Sequence, residues 1–490
     1  MRSWSSLAVV MMISGCNFAP KHITPALSTP VEFPPEVSPA GSIDAASVRW
    51  EDFFQDERLR ELIAQALENN RDLRIAVARI EETRGLYRIQ RVDELPRLGL
   101  SAGAVRNRIG TASLSPAQGG GTGPTAIGFT TNNYDVGVAV TSFELDFWGR
   151  VRNLSDAARA RYFATVSAER AFCISLIRDL ATAYVTSRSL AEQAEQADHA
   201  VATRQEGLRI AKLRLDAGVT SALDYRQAES LLTQAQAEAA SLRNQRAQQR
   251  NIVRLLVGSP IDEEALAPAR RLRDQGIIRD IDAGLPSSLL INRPDIIAAE
   301  ETLRSARANV GAARAAFFPA ISLTGRFGFA SNSLDNLFTD SGTNWSFGPS
   351  LSLPIFNWGA RKGGLTVARA RESIEVATYE RTVQVAFREV SDALANRRYL
   401  AEQIIAQQRA VDAQSALTRL ARLRYQNGVA QFLEVLDAER NLFSAQQALI
   451  QLRGAQLGSL VTLYAALGGG LGTPPPGRSS EGEGTPQSRR

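Results

Sequence analysis

The chain is written twice, and that repeat constrains its fold more than any bulk property. At an offset of 210 residues, Ala158–Arg161 (ARAR) recurs at Ala368–Arg371, and Arg178, Asp179 and Ala183 correspond to Arg388, Glu389 and Ala393. The stretch LRLDAGVTSALDYRQAESLLTQAQ from Leu213 runs in register with LRYQNGVAQFLEVLDAERNLFSAQQ from Leu423. Earlier in each copy the offset is 223: NNRDL matches NRPDI, so Asp72 falls opposite Asp295 and Pro96 opposite Pro319. Matches that hold register across many helical turns indicate two copies of one structural unit of roughly 200 residues. The change of offset implies a connection 13 residues longer in the first copy, placed in its Gly/Thr/Ser-rich stretch GTASLSPAQGGGTGPTAIGFTTNN.

Each copy carries the same series of patterns. A helical segment comes first, such as DERLRELIAQALENNRDLRIAVARIEETRGLYRI, and alternating runs follow it. In the second copy Ile321, Leu323, Phe327 and Phe329 alternate with Ser322, Thr324, Arg326 and Gly328. Trp345, Phe347, Leu351, Leu353 and Ile355 alternate with Ser346, Gly348, Ser350 and Ser352. In the first copy Tyr134, Val136, Val138 and Val140 alternate with Asp135, Gly137, Ala139 and Thr141. Runs of about ten such residues suit membrane-spanning β-strands, and a half-buried soluble sheet alternates in the same way.

The second strand of each copy runs into a Trp-Gly pair, Trp148-Gly149 and Trp358-Gly359, in a chain with only five Trp. Trp there suits an interfacial aromatic girdle, and Gly a close turn from sheet to helix. No proline occurs from Thr125 to Ser259 or from Ile355 to Thr473. Both windows are rich in strong helix formers and broken once, at Gly218 in DAGVTSALD and Gly428 in QNGVAQFLE. The helix after each Trp-Gly is expected to run about 65 residues, roughly 100 Å, and to return by a partner of about 38. Helices of that length belong in a bundle or coiled coil. Four strands per chain cannot close a barrel, and open sheet edges are not tolerated in lipid. If the strands enter a membrane, several copies must pool them.

The N-terminus reads MRSWSSLAVVMMISGC, with Arg2, an apolar core over Leu7–Ile13 and small residues before Cys16. It is too short to span a bilayer and reads as an export signal over 1–15. The Ser14-Gly15-Cys16 ending resembles a bacterial lipobox, which implies a lipid on Cys16 and, with Asn17 following, delivery to the outer membrane. Residues 16–55 hold six prolines between Pro20 and Pro39 and read as an extended strap. The expected organisation continues with a first repeat over 56–290, a second over 291–467 and a disordered tail over 468–490. In the first repeat, strands are expected at about 96–108 and 133–146, with helices over 150–217 and 221–257. In the second, strands are expected at about 319–331 and 343–356, with helices over 360–426 and 430–466.

Catalysis finds no foothold. The histidines are His22, in the strap, and His199, alone on a helix. Cys173 sits in the helical run RAFCISLIRDL as a small hydrophobe. Gly119–Gly123 (GGGTG) lacks the Lys-Ser/Thr of a phosphate loop, and no metal spacing is present. The 56 basic and 51 acidic residues are interspersed, which fits a charge-laced helical surface rather than nucleic-acid binding. The reading is a non-enzyme without cofactor or metal.

Across nearly the whole mature chain the sequence resembles the outer-membrane factor family, the TolC-like exit ducts, and within it the NodT-type efflux lipoproteins. The resemblance rests on GCNFAPKHITP, with His22 in the family's Tyr place, FFQDERLRELIAQALENNRDL and SFELDFWGRVR. It rests equally on NRPDIIAAEETLRSARANVGAARAAFFPAISLTG, LSLPIFNWGARK, GVAQFLEVLDAERNLFSAQQALI and LYAALGGG. It implies a mainly α fold with a transmembrane β part. In such a homotrimer, twelve strands form one outer-membrane barrel, continued by a long periplasmic α-helical barrel with an equatorial domain. It implies a passive exit duct for drugs or other small toxic compounds in a tripartite pump. The partners implied are a periplasmic adaptor and an inner-membrane RND-type transporter. A protein-secretion or metal-ion duct is the alternative within transport, and a lipid-anchored helical scaffold is the alternative outside it. The resemblance places a periplasmic gate at Asp224, Glu434 and Asp437, where copied carboxylate rings would raise some pKa values, and adaptor-docking tips at Gly218, Val219, Gly428 and Val429. The same acids also suit a helix N-terminus. The family's gate arginine, two residues after the Gly, is replaced by Thr220 and Ala430.

Overall fold

The computed structural model describes residues 17–21, 23–25, 43–44, 48–109, 129–262, 271–278, 281–282 and 286–469. Cys16 and the leader before it, His22, Gly119–Gly123 and the tail from residue 470 lie outside the described residues. The chain divides into two compact units. One comprises Met1–Pro25, Arg79–Thr165 and Ala299–Tyr379; the other comprises Ala26–Ala78, Val166–Ala298 and Glu380–Arg490.

The first unit is built on one antiparallel sheet. Its strands are β1 (Leu98–Ile109), β2 (Phe129–Glu144), β3 (Ala320–Ser331) and β4 (Thr343–Ser352), in the order β1-β2-β3-β4. The period-2 alternation turns into rows across the sheet. Leu100, Val138, Phe327 and Trp345 stand side by side, and the adjacent row is Gly99, Ala139, Arg326 and Ser346. One face is therefore apolar and the other small or polar, with Arg326 paired to Asp135. The apolar face is largely exposed: Leu100 is 79% exposed and Trp345 72%. The strand expected to reach residue 356 stops at Ser352. β2 starts at Phe129, earlier than the expected 133, because Asn107–Ile109 of β1 supply partners for Phe129–Thr131.

The sheet also corrects the account of the 13 extra residues. The two hairpins share one register. Leu98↔Val140, Leu100↔Val138 and Ala102↔Val136 in the first become Ile321↔Leu351, Leu323↔Pro349 and Gly325↔Phe347 in the second. β1 thus maps onto β3 at an offset of 223, and β2 onto β4 at 211. One extra residue is consequently not in the connection but inside β2. There Val140 to Phe143 span three steps against two from Gly325 to Leu323, which is a β-bulge.

The second unit is helical. The longer helices of the whole chain are α1 (Glu57–Asn69), α2 (Arg71–Val92), α3 (Arg150–Asp216), α4 (Ala222–Val257), α5 (Pro294–Ala315), α6 (Ala360–Gln426) and α7 (Phe432–Ala466). α3 and α6 each have 67 residues, and α4 and α7 have 36 and 35. The strap is not extended to its end. Trp50–Phe53 forms a helical turn, because Phe53 and Phe54, past the last strap proline, bury completely around Tyr464. Phe53 stacks on that ring at 4.0 Å.

Two buried polar clusters fix this unit. Asp56 caps α1 through the Arg58 N–H and accepts the Tyr184 hydroxyl at 2.9 Å. Arg188 in turn donates to that hydroxyl and lies over the ring, 4.5 Å from its centroid. Burial pushes the Tyr184 hydroxyl up to about 12. Arg293, 9% exposed in its side chain, donates to Asp295, to Glu389 of α6 and to the Ala466 carbonyl at the end of α7. Cys173 is buried, and burial first, then Glu169, pushes its thiol up to about 12, so it packs as an un-ionised hydrophobe. Among the described residues no helix is long and apolar enough to cross a membrane.

Candidate functional site

The two helix breaks fold alike. At the first, Gly218 has φ +73° and the Val219 N–H reaches back to the Arg214 carbonyl at 2.9 Å. At the second, Gly428 has φ +73° and the Val429 N–H reaches the Arg424 carbonyl at 3.0 Å. This six-to-one bond closes a helix C-terminus when the residue before it is left-handed, which is why Gly occupies both places. Val219 and Val429 are consequently held out into solvent, 64% and 69% exposed.

The acids beside these turns have different duties. Asp224 completes a capping box with Ser221 and accepts the Thr220 hydroxyl at 2.6 Å. That hydroxyl bond, outweighing slight desolvation and aided by Ser221, holds the Asp224 carboxyl below the usual carboxylate range. Within one chain it therefore shifts opposite to the rise expected of a carboxylate ring. A depressed folded pKa contributes order above the unfolded value, and that order is lost as pH falls through the folded one. Asp224→Asn at neutral pH should accordingly speed exchange of the amides at the start of α4, corrected for intrinsic rates, and acid should do so only in the wild type. Equal protection in both would remove the capping role.

The second turn has no side-chain cap at Gln431. Glu434 instead pairs with Arg424 at 2.7 Å, and Asp437 with Arg440 at 3.0 Å. These exposed pairs orient the carboxylates and add little stability. What ties the two turns together is a pair the sequence reasoning missed. Arg214 Nη1 donates to the Tyr425 hydroxyl at 2.5 Å, its guanidinium 4.9 Å from the ring centroid. Tyr425 leans on Phe432 over a small cluster of Ala421, Val435 and Ala438. The repeat did carry a signal, since Arg214 and Arg424 align. The partner positions differ, Leu215 against Tyr425 and Asp224 against Glu434, so the same arginine reaches across in one copy and down its own hairpin in the other.

The strand-to-helix corners are unlike each other. Trp148 donates its indole N–H to the Pro319 carbonyl at 2.9 Å and stacks on Phe318, which stacks on Phe18. Gly149 has φ +73° and starts α3, and Asn153 in the first turn bonds both the Gly149 carbonyl and Asn17. The strap beside Cys16 is thus built into this corner. Ala19 approaches Gly311 so closely that an added Cβ would lie 2.8 Å from it. The second corner is bare. Trp358 itself has φ +50°, is 91% exposed and lies edge-on to the Phe356 ring; Gly359 follows at φ +84°. Among the described residues no group of three or more His, Cys, Asp or Glu is placed to hold a metal. His199 is exposed on α3.

Residues 62–259 and 285–469 match the family model described as outer membrane efflux protein. The chain is 42% identical over 466 residues to the solvent efflux pump outer membrane protein SrpC of Pseudomonas putida, covering 94% of this chain and 97% of the relative. Its fold superposes on a crystal structure of a membrane protein from Pseudomonas aeruginosa with TM-score 0.85, at 37% identity, over 92% of this chain and all of the other. The open state of the Neisseria gonorrhoeae MtrE outer membrane channel superposes with TM-score 0.82, at 38% identity, over 93% and 98%.

Proposed function

The chain belongs to the outer membrane efflux protein family, and we propose that it is the trimeric exit duct of an efflux pump for small, largely apolar toxic compounds. As a family member it is an outer-membrane channel with a periplasmic helical extension, not an enzyme. The observation that carries the proposal is the open four-stranded sheet, whose apolar face is largely exposed and whose two edge strands have no further partner among the described residues. Such a sheet is untenable in lipid until copies close it, and closure at twelve strands takes three. The solvent class follows the SrpC likeness. The test is a heat-modifiable, SDS-resistant oligomer that conducts in planar bilayers. An oligomer with no conductance would point instead to a lipid-anchored scaffold.

In this reading Cys16 carries lipid, the only covalent addition. It lies one residue before Asn17, whose bond to Asn153 holds the strap at the strand-to-helix corner. The corners Trp148-Gly149 and Trp358-Gly359 then mark where barrel becomes tunnel. Asp224, Glu434 and Asp437 face the narrow end of the tunnel. Val219 and Val429, presented by Gly218 and Gly428, receive a periplasmic adaptor that links the duct to an inner-membrane transporter of the RND type. Val219→Glu with Val429→Glu should abolish adaptor co-purification and efflux while leaving the oligomer intact. Full efflux from that variant would remove the tips from the docking surface.

A further inference from the structure

Charge is scarce on the polar face of the sheet. Among the described residues of the four strands, that face carries three charged side chains: Asp135 and Glu144 on β2 and Arg326 on β3. Glu144 stands at the foot, opposite Ser322, where Arg150 holds it through two hydrogen bonds. Asp135 and Arg326 stand at mid-strand among residues with little or no side chain. Arg106 and Arg108 of β1 fall on the other face, in step with Leu98 and Leu100.

The two mid-strand charges meet. Asp135 Oδ2 accepts from Arg326 Nη2. The pairing is diagonal: across the β2–β3 seam Asp135 stands opposite Ala330 and Arg326 opposite Ala139, with the facing glycines Gly137 and Gly328 between them. No side chain on that line stands in the way of the guanidinium. The other carboxylate oxygen, Oδ1, rests on β1, 2.8 Å from where a Cβ on Gly103 would lie. The pair thus lies along the sheet rather than standing off it. Solvent still reaches both side chains, Arg326 at 45% exposure and Asp135 at 21%.

The repeat puts these charges at matching positions. With β1 mapping onto β3 at 223 and β2 onto β4 at 211, Arg326 is the counterpart of Gly103 and Asp135 the counterpart of Ser346. Those four residues are the cross-strand pairs Gly103↔Asp135 and Arg326↔Ser346, one in each hairpin. Each hairpin therefore presents one charge at the same level, an acid in the first copy and a base in the second. We propose that in the closed barrel this level is a ring of three carboxylates and three guanidiniums that cancel, leaving the pore wall indifferent to the charge of the compound passing it. The proposal rests on the trimeric-duct reading and assigns its barrel a pair of selectivity-determining residues.

The physical reason is that a pore with low-dielectric walls focuses the field of any charge on its lining, and a ring of one sign sorts solutes by charge. Without Asp135, three guanidiniums would stand at one level and favour anions. Without Arg326, three carboxylates would favour cations. Neighbouring sequence offers no substitute for either partner, since residues 110–128, which join β1 to β2, carry no charge. Asp335 and Asp340, in the β3–β4 connection, lie beyond the strands and set a baseline common to every variant below.

A thiol placed beside the pair reads the local potential directly. Ser346→Cys, at an exposed position opposite Arg326, is made in a Cys173→Ala chain. In isolated outer membranes its rates of modification by a negatively and a positively charged methanethiosulfonate are compared. The ratio of anionic to cationic rate should rise several-fold with Asp135→Asn, fall several-fold with Arg326→Gln, and return to its starting value when both are combined. The shifts should shrink in 1 M salt, where the screening length is about 3 Å against about 10 Å at 0.1 M. Arg326→Gln and the double variant decide the case should Asp135→Asn fail to assemble. In a conducting oligomer, a thiol that neither reagent reaches, or ratios that the substitutions leave unmoved, overturn the ring and leave the duct reading standing. An oligomer that neither conducts nor admits either reagent overturns both.

Discussion

Arg293→Ala is expected to destabilise the helical unit by about 3 kcal/mol, the low end of what is lost when one partner of a buried ion pair is removed. The loss stays at the low end because Asp295 and Glu389 are about a third exposed and recover some hydration, whereas Arg293 is 9% exposed. Three elements lose their common partner at once: the first turn of α5 through Asp295, α6 through Glu389, and the Ala466 carbonyl at the end of α7. Arg293→Lys should recover only part of this, since a compact ammonium cannot serve two carboxylates and a carbonyl with the planar fork of a guanidinium. The measurement is the thermal midpoint of the purified protein in detergent, with a fall of roughly 5 °C or more for Ala. Glu389→Gln combined with Arg293→Ala should cost less than the sum of the single changes, because the neutral amide removes a stranded charge. Full additivity would mean that the cluster does not act as a unit.

The motif NRPDI was legible as a repeat marker long before its duty was. The sequence shows Asp72 opposite Asp295, but the first copy has no proline and no Arg two residues before its Asp. The cluster around Arg293 depends on residues up to 173 positions away. The long helices, their breaks and the strand alternation were readable because each follows a local rule: proline absence, Gly at a left-handed position, period 2. The bulge in β2 was not, since one residue among thirteen looks the same in a sequence wherever it is inserted. The register of the hairpins alone separates it from the connection. The acids beside the turns were readable as positions, whereas what each one meets within its own chain was not. Within one chain the Asp224 carboxyl is held below the usual range because the Thr220 hydroxyl and the Ser221 backbone N–H donate to it, a detail set by the geometry of the turn.

Tyr425→Phe is expected to raise the open probability of single channels in planar bilayers by about tenfold, with Arg214→Ala larger. The hydroxyl accepts a charge-assisted hydrogen bond at 2.5 Å, a contact worth about 1.5–3 kcal/mol, and 1.4 kcal/mol is a factor of ten in an equilibrium. Phe keeps the ring that leans on Phe432 and faces the guanidinium, so the variant isolates the hydroxyl from the packing. Among the described residues the tie is the one cross-hairpin side-chain hydrogen bond beside both turns, joining the end of α3 to the end of α6. The pairs Arg424–Glu434 and Asp437–Arg440 stay within one hairpin, so cutting them should alter ion selectivity more than opening. If three copies open together, three ties break in one event and the effect compounds, which makes even the conservative substitution measurable. Unchanged open probability in both Tyr425→Phe and Arg214→Ala, with changed opening in Arg424→Ala, would move the lock from between the hairpins to within one of them.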